Sequence, residues 1–483
     1  MSGLTAISLF SGAGGIDIGL HRTGVETLVV IDSDEYATDT LKANSSRYDL
    51  GLAGKDAKYN WGVIDEDIHE VSVDKIIEEA GTDDIDFIVG GPPCQTFSRS
   101  NEGNRQGTNA ERGMLFEEFA RLLREIEPKA FLFENVRGLA SANDGEDFEI
   151  IKQEFEDCGY TLNDDVLNAA DYGVPQTRDR LFVIGFYGDQ KPYFPDPSHV
   201  EAKNPITGKP SWVTAEEALG DFDLDANLEP YENAIGGKYG YLLKDIPPGG
   251  NYQHFSERKY VPEKNGYVER DEDELYEKVF DWRSRHYNYL LKQDPDRPTW
   301  TLQASPGTYV GPFHWRSRWY SYLEQLRLMD IPVDYEIRGH QREIQRQIGN
   351  AVPPGLAEAI IGSLVDQLDL DPGDYESEPT AKTRVASDGG ETSVDIDATD
   401  GVEIGSSRSP WRIADAVIAQ LKQDDEVTIS GQGKQVAVVI DVAELVRRRL
   451  ENAPEITLTK TVDNDPASNK SDRLSILNAT LSP

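Results

Sequence analysis

Between residues 4 and 190, apolar runs typical of strands alternate with amphipathic stretches typical of helices. A clear helical spacing covers Phe116 to Ile126. This alternation predicts a doubly wound α/β fold, in which a mainly parallel sheet carries helices on both faces. Ligands of such sheets bind at the carboxyl ends of the strands, so the residues after each run are the first candidates for a site. The strand-like runs include Thr27–Ile31, Phe87–Val89, Ala130–Phe133 and Leu181–Phe186.

One of these strand ends presents a cysteine. The run that begins at Phe87 continues into Gly90-Gly-Pro-Pro-Cys94, and the two prolines fix the backbone in front of the thiol. The chain has only one other cysteine, Cys158. A lone cysteine is more often an inert, small apolar side chain than a nucleophile. Its position alone therefore leaves packing and catalysis both open, and the neighbouring motifs must decide.

Seven short motifs occur in a fixed order along the chain. They are Ser8–Gly15, Val29–Asp34, Pro92–Gln95, Phe131–Gly138, Tyr172–Arg180, Arg297–Leu302 and Gln347–Pro354. One of them could arise by chance, but seven in series could not. Their order and spacing resemble the DNA cytosine-5 methyltransferase family over residues 4 to 363. The resemblance implies a Rossmann-like sheet for methyl transfer from S-adenosylmethionine, with an inserted target-recognition domain.

The resemblance assigns catalytic roles to residues of three motifs. It implies that Cys94 adds to carbon 6 of cytosine and that Glu134 contacts ring nitrogen 3 and the exocyclic amine. A thiolate needs a nearby cation, and Arg178 is our candidate. Arg180 and Gln176 are expected to orient the site. Two alternatives stay open, because a glutamate at a strand end is often a cap or an ion-pair partner, and Arg180 could serve only as such a partner.

The resemblance also implies a site for S-adenosylmethionine. Asp32 follows a glycine-rich turn by about 20 residues, a spacing at which an acid accepts hydrogen bonds from ribose hydroxyls. The family usually has glutamate there, so the carboxylate is kept on a shorter side chain. The adenine is expected at Asp67 and Ile68. The remaining cofactor candidates are Phe10, Gly12, Ala13, Gly15, Pro93, Leu115, Asn350 and Ala351.

The charge of the chain argues at first against a nucleic-acid partner. Its formal net charge is -39, whereas binding to phosphates requires Lys and Arg. The acids are dispersed, which is typical of a surface adapted to a salt-rich, halophilic cytoplasm. Basic islands favour contact with DNA nevertheless: Arg99, Arg105 and Arg112 outnumber the acids of their loop, and Phe313–Arg318 has no acid. The alternative is an acidic protein that avoids nucleic acid.

Cysteine usage and hydropathy bear on where the protein works. Two cysteines cannot form a disulfide framework, and their spacing does not match a zinc site. No apolar run approaches the roughly 20 residues that a membrane span requires, and the N-terminus lacks the pattern of a signal peptide. We expect a cytoplasmic protein without a membrane partner.

Changes of composition predict the domain organisation. The first part of the catalytic domain covers residues 1–190, and an irregular stretch rich in Pro, Gly and Tyr marks a target-recognition domain at 191–297. The catalytic domain returns at 298–370. Residues 371–405 carry ten acids, two basic residues and one aromatic residue, so we expect a disordered linker. A small α/β domain is expected at 406–483.

That last segment has its own pattern. Trp411–Leu421 has helical spacing, Glu426–Ser430 alternates as a strand, Gln435–Arg447 is apolar and then amphipathic, and Ile456–Leu481 suggests a closing hairpin. The order resembles the Alba family of archaeal nucleic-acid-binding proteins. The basic residues that this family has near its first helix are missing at Ser407–Pro410. Self-association is therefore expected more than nucleic-acid binding, and an unrelated α/β tail is the alternative.

Three functions remain in view. The first is a DNA cytosine-5 methyltransferase that acts on double-stranded DNA, with a cognate restriction endonuclease as a possible partner. The second is RNA cytosine-5 methylation on the same fold, and the third is a non-catalytic nucleic-acid-binding protein. The inserted segment of about a hundred residues favours DNA, because reading base edges in a groove requires additional structure. The target sequence follows no readable code.

Overall fold

Two compact units make up the protein, and neither is a continuous stretch of chain. The first unit comprises Met1–Trp212, Met329–Arg338 and Asn350–Ser387, and the second comprises Val213–Leu328, Gly339–Gly349 and Asp388–Pro483. The predicted domain boundaries stay predictions. The computed structural model describes residues 3–48, 58–93, 115–201, 208–220, 225, 228, 231, 234–263, 266–269, 278–283, 286–368, 402–403, 409–421, 427–432, 434–450, 454–462 and 475–482.

A seven-stranded sheet forms the centre of the first unit. Its order is β3-β2-β1-β4-β5-β8-β6. The first five strands in this order are parallel, and β8 is antiparallel to both β5 and β6. The predicted doubly wound, mainly parallel sheet is confirmed. The strands are β1 Thr5–Leu9, β2 Glu26–Asp32, β3 Gly62–Asp65, β4 Phe87–Gly90, β5 Ala130–Val136, β6 Tyr160–Asn168 and β8 Asp179–Tyr187, with a two-residue strand β7 at Gln176–Thr177.

Helices cover both faces of this sheet. Alternate residues along β1 point to opposite sides: Ile7 and Leu9 join one apolar core, whereas Ala6 and Leu4, which precedes the strand, join the other. The spacing at Phe116 to Ile126 indeed forms a helix, which buries its apolar stripe in the first of these cores. The helices of the first unit are α1 Gly15–Arg22, α2 Glu35–Asn44, α3 Val73–Ala80, α4 Leu115–Ile126, α5 Glu146–Asp157 and α9 Pro354–Gln367.

The order of the strands determines where a site can form. From β1 the chain runs outward to β3 and then returns to β4 on the other side of β1, so the direction of winding reverses between β1 and β4. Leu9 at the end of β1 pairs with Gly90 at the end of β4. Ligands of open α/β sheets bind at such a reversal, outside the carboxyl ends of the strands. The turns that follow β1 and β4 are therefore neighbours.

The second unit has less regular structure and buries an ion-pair cluster. Arg318 donates hydrogen bonds of 2.8 to 3.0 Å to both carboxylate oxygens of Asp225 and of 2.8 Å to both of Glu324. All three side chains are fully buried. The interpretation of Phe313–Arg318 as a phosphate-facing island is therefore wrong for Arg318, whose charge is neutralised inside the unit. The helices and strands of the second unit up to residue 350 are α6 Ala215–Leu219, β9 Tyr260–Glu263, β10 Gly266–Glu269, β11 Thr299–Trp300, α7 Tyr322–Leu328 and α8 Gln341–Asn350.

The C-terminal segment forms a small α/β layer within the second unit. Its four strands follow the order β12-β13-β15-β14, and β14 and β15 form the predicted closing hairpin. Helix α11 is buried along most of its length. The predicted order of helix, strand, helix and hairpin is confirmed. The elements are β12 Val402–Glu403, α10 Pro410–Leu421, β13 Val427–Gln432, α11 Gln435–Arg449, β14 Glu455–Val462 and β15 Ser475–Ser482.

One stretch of helix passes a test of length and hydropathy for a membrane span. It is Gln341–Gln367, with a mean hydropathy of 1.3 in its most apolar window, and 67% of that window is buried. It consists of α8 and α9, separated by Ala351-Val-Pro353. Helices buried in a protein core pass the same test, and we assign both helices to that class.

Candidate active site

The turn after β1 is tightly wound. Phe10 and Gly12 both have left-handed backbones, with φ of 54° and 55°. The Gly14 N–H donates to the Ser11 carbonyl over 2.8 Å and closes the turn. No described atom lies within 4 Å of the position that a side chain on Gly12 would occupy. The turn thus leaves open space beside its backbone at the carboxyl edge of the sheet.

Asp32 ends β2 next to this turn. Its two carboxylate oxygens accept hydrogen bonds from the backbone N–H groups of Gly12 and Asp34, each over 2.8 Å. Burial raises the pKa of the carboxyl group above its usual value, although these backbone hydrogen bonds oppose the shift. A carboxylate offers about four acceptor positions in all, so these contacts leave room for a further donor. The hydrogen bond from the Gly12 N–H fixes the Asp32 carboxylate beside the open space at Gly12.

Three apolar cofactor candidates belong to, or pack against, one large apolar core of the first unit. Phe10 and Leu115 are partly buried against the core cluster that contains Ile68. Asp67, the residue before Ile68, is more exposed: it caps a single turn of 3₁₀ helix and accepts from the His69 N–H over 3.1 Å. Its hydrogen bond to the His69 ring lowers the pKa of Asp67. The structure thus brings Phe10, Ile68 and Leu115 to one cluster and leaves the Asp67 carboxylate toward solvent.

Two other cofactor candidates have packing contacts instead. Ala13 is only 2% exposed. A side chain on Gly15 would lie 2.1 Å from the Val352 carbonyl oxygen, so the return segment requires glycine at this position. That segment also contains Ala351, which is buried, and Asn350, which is exposed at the end of α8. Gly15 therefore joins the turn to the return segment through close backbone packing.

The turn after β4 leads to the proposed nucleophile. The Asn135 amide donates to the Pro92 carbonyl over 3.1 Å and holds this turn against β5. A side chain on Gly91 would lie 2.6 Å from Glu134 Oε2, so the turn passes directly over that carboxylate. Pro93 is exposed. Cys94, which follows it, lies outside the described residues.

Glu134 is buried at the end of β5 and paired with a cation. Arg180 Nε lies 3.0 Å from Glu134 Oε1, and both side chains are largely shielded from solvent. Burial raises the pKa of Glu134, and the charges of Arg180 and Arg178 lower it in part. β5 pairs with β8, which places Arg180 opposite Val136. The strand pairing therefore brings the two motifs together.

Arg178 is the third charged residue of the cluster that contains Glu134 and Arg180. Its side chain is fully buried and donates from Nη2 to the Ala351 carbonyl over 3.0 Å. Burial and the neighbouring Arg180 lower the pKa of Arg178 to about 9, while Glu134 raises it, so the group stays charged at neutral pH. Gln176 is also buried, and its amide donates to the Met329 sulfur over 3.1 Å. The structure thus brings Glu134, Arg178 and Arg180 together.

Sequence reasoning gave no role to two asparagines that support this cluster. Asn135 fixes the Pro92 turn, as described above, and Asn168 Oδ1 accepts from the backbone N–H groups of Ala170 and Arg178. Asn135 follows Glu134 directly in its motif, so an amide beside a candidate acid could have signalled it. Asn168 ends β6 without a motif of its own, and only the pairing of β6 with β8 reveals its position.

Comparison with known proteins adds an independent result. The model of the family described as C-5 cytosine-specific DNA methylase matches residues 4–366. A second model, that of the Alba family, matches residues 401–464. Both resemblances inferred from the motifs are thereby confirmed.

Individual relatives agree with the larger match. The type II methyltransferase M.SacI of Streptomyces achromogenes is 34% identical, over 76% of this chain and 93% of its own length. M.NgoFVII of Neisseria gonorrhoeae, also a type II methyltransferase, is 31% identical over 73% of this chain and 84% of its own. Among solved structures, the Dnmt2 methyltransferase of S. pombe aligns with a TM-score of 0.47 at 14% identity, over 76% of this chain and 99% of that one.

Proposed function

The chain belongs to the C-5 cytosine-specific DNA methylase family, and from this membership we propose that it methylates carbon 5 of a cytosine flipped out of duplex DNA, with Cys94 as the nucleophile. One observation carries the proposal. The buried Glu134 carboxylate, paired with Arg180, lies directly beneath the turn that leads to Cys94. An acid with a raised pKa beside the turn that leads to a candidate nucleophile suits acid-assisted addition to a ring.

The first unit also fits S-adenosylmethionine. When bound, this cofactor supplies a methyl group on a positively charged sulfur. The open space at Gly12 is bordered by the Asp32 carboxylate, which suits ribose hydroxyls. Phe10, Ile68 and Leu115, which belong to or pack against one large apolar core, are proposed to contact the adenine ring. We propose Asp32 as the ribose ligand. Gly15 is proposed to support the turn through Val352.

The proposed reaction begins with a change at the cytosine ring. Carbon 5 of cytosine is too weak a nucleophile to take a methyl group unaided. Addition of the Cys94 thiolate to carbon 6 forms a carbon–sulfur bond and makes carbon 5 nucleophilic. After methylation, the carbon 5 proton passes to a base from solvent and the nitrogen 3 proton returns to the Glu134 carboxylate. Cleavage of the carbon–sulfur bond then restores the ring and releases the thiolate. A free thiol with a pKa of about 8.5 is mostly protonated at neutral pH, so we propose that the Arg178 charge favours the Cys94 thiolate.

Glu134 is proposed to act on the other edge of the base. A protonated carboxyl donates to ring nitrogen 3 while the thiolate adds, so that negative charge does not accumulate on the ring. Burial favours the protonated form of Glu134 and raises its pKa. The ion pair with Arg180 favours the charged form and offsets part of that rise. Arg180 holds the carboxylate in place through its 3.0 Å contact.

The substrate is proposed to be duplex DNA. Carbon 6 cannot be reached within a stacked helix, so the base must leave the stack. The relatives named above are type II methyltransferases, and on that likeness we propose a cognate restriction endonuclease as a partner. We also propose a cytoplasmic location, which the use of only two cysteines supports.

Adduct trapping tests the mechanism. Fluorine at carbon 5 cannot leave as a proton does, so a 5-fluorocytosine duplex library should become covalently attached to the wild-type protein when S-adenosylmethionine is present. Cys94→Ser should form no adduct and transfer no detectable methyl group. Cys158→Ser is the matched control, since Cys158 hydrogen-bonds inside the core to the Ala120 and Glu154 carbonyls. Absence of a wild-type adduct, or an adduct in Cys94→Ser, would contradict the mechanism, and an RNA library in parallel tests the substrate.

A further inference from the structure

Helix α11 of the Alba-like segment contributes a carboxylate to a helix far away in sequence. Asp441 lies in the middle of α11 and is fully buried. Its two oxygens accept hydrogen bonds from the backbone N–H groups of Tyr322, over 2.9 Å, and Leu323, over 3.0 Å. These residues begin α7, where N–H groups lack partners within the helix. Asp441 therefore caps α7 from more than a hundred residues away.

Three further contacts join the same parts of the second unit. The Gln341 amide donates to Gln435 Oε1 over 3.0 Å. The Lys434 ammonium group lies 5.6 Å from the ring centre of Trp319. The Lys460 ammonium group lies at the same distance from the ring centre of Tyr231. Two elements of the C-terminal segment, α11 with its first turn and β14, thus contact the part of the unit that precedes residue 350.

Helix α7 also supports the buried ion-pair cluster. Glu324 lies in its first turn, and its carboxylate binds Arg318, which in turn binds Asp225. The Ser321 N–H donates to Glu324 Oε2 over 2.7 Å, so the same carboxylate also helps to begin the helix. Removing one partner from such a buried network leaves an uncompensated charge, so the position of α7 matters for the whole cluster.

Nothing in the surroundings of α11 suggests a free nucleic-acid surface. Residues 436–446 of the helix are all buried. Among the described arginines at its end, Arg447 and Arg448 both donate to the buried Glu444 carboxylate. The basic groups of this helix are therefore partly neutralised within the segment, and its apolar side is covered.

We propose that the Alba-like segment is an internal brace for target recognition: Asp441 holds α7, and α7 holds the Arg318 cluster in the arrangement that binds DNA. This inference rests on the proposed function and on the prediction that residues 191–297, most of which lie in the second unit, recognise DNA. Asp441 is a positioning residue and touches no substrate. The partner of the segment is the remainder of its own unit, and separate folding with self-association of 406–483 is the competing outcome.

Three variants of the full-length protein test the brace. Asp441→Ala removes both hydrogen bonds, and we expect the KM for unmethylated genomic DNA fragments to rise about 10-fold while kcat changes less than about 2-fold. Asp441→Asn retains one acceptor oxygen and should restore part of the affinity. Glu444→Gln is the matched control, because it removes a buried carboxylate from the same helix whose hydrogen bonds stay within α11.

Hydrogen–deuterium exchange of residues 318–328 gives a readout that needs no activity. Exchange should accelerate in Asp441→Ala, less in Asp441→Asn, and not in Glu444→Gln. The brace is refuted if exchange stays at the wild-type rate, if it accelerates without a change in DNA affinity, or if Glu444→Gln weakens DNA binding equally. A wild-type protein that binds DNA but methylates no cytosine would refute the proposed function alone, since binding and exchange still report on the brace.

Discussion

The two units of this protein keep their charged groups in place in different ways. In the first, Asp32, Glu134 and Arg180 lie on β2, β5 and β8 of one sheet, and the order and direction of the strands bring them to a common edge. In the second, Arg318 binds Asp225 across 93 residues of sequence, and Asp441 caps a helix 118 residues before it. At a sheet edge, the order of the strands brings side chains close together. In the second unit, each charged side chain is held by its own individual contact.

That difference explains why motifs are informative in only one of the units. When β1 and β4 are neighbours, any residue that follows either strand lies near the other turn, so a short motif also predicts a position. A buried ion pair has no such local rule. Its partners become visible only when the chain is folded, and a change to one of them should affect the second unit without altering the chemistry of the first.

The largest effect should come from Glu134. Glu134→Gln cannot donate or accept a proton, so we expect methyl transfer to slow on the order of 10²-fold or more. The affinities for S-adenosylmethionine and for DNA should stay near the wild-type values, because neither contact depends on that proton. Single-turnover kinetics with isothermal titration separates these quantities, and Glu149→Gln on the exposed face of α5 is the control.

Asp32→Ala should show the opposite pattern, since it removes the proposed ribose ligand and weakens cofactor affinity before it changes the rate of a saturated enzyme. Equal losses of cofactor affinity in both variants would contradict the roles assigned to these two carboxylates. A loss of DNA affinity in Glu134→Gln would contradict the assignment of chemistry to the first unit and DNA binding to the second.

A smaller effect concerns two buried aspartates, one in each unit. Burial raises the pKa of Asp17 in α1, and that of Asp441 in α11, from 3.8 to about 7. The folded state then holds the proton more tightly than the unfolded chain, so the contribution of each aspartate to the free energy of unfolding is largest below pH 4 and is lost as pH rises through 7. Protection of α1 amides from exchange should fall by up to about 10-fold per pH unit between pH 5 and 7.

Asp17→Asn should abolish the pH dependence in α1 and leave that in α11 intact. Hydrogen–deuterium exchange, corrected for the intrinsic effect of pH on the exchange rate, measures both helices in one sample. If Asp17→Asn removes the pH dependence of exchange in both helices, the two units do not respond to pH independently. If it removes neither, a group other than Asp17 causes the pH dependence in α1.

The smallest effect should come from salt. Molar potassium chloride screens exposed charges, but the Arg318 cluster is fully buried and is screened much less. The dispersed acids also suit high salt, so activity should persist in molar potassium chloride even though phosphate contacts weaken. An activity optimum below about 0.2 M would contradict the halophilic interpretation, and melting of the second unit alone would show that its ion pairs are accessible to solvent.

The sequence predicted most of the first unit because its signals are periodic. The spacing at Phe116–Ile126 and the run at Phe87–Val89 both gave the correct element, and Asp32 was placed correctly at a strand end. Gly15 was harder, since only the folded chain shows that Val352 excludes a side chain there. Arg318 was misinterpreted because a segment without acids cannot reveal that its partners come from Asp225 and Glu324.

The packing of Gly15 against Val352 has a consequence for biosynthesis. Val352 leaves the ribosome about 340 residues after Gly15, and translation at about 5 to 20 residues per second separates them by roughly 20 to 70 seconds. Until then α1 has no α9 to cover its apolar side. The nascent N-terminal half must therefore persist with the apolar side of α1 uncovered. The turn after β1 reaches its final packing only when the return segment has been made.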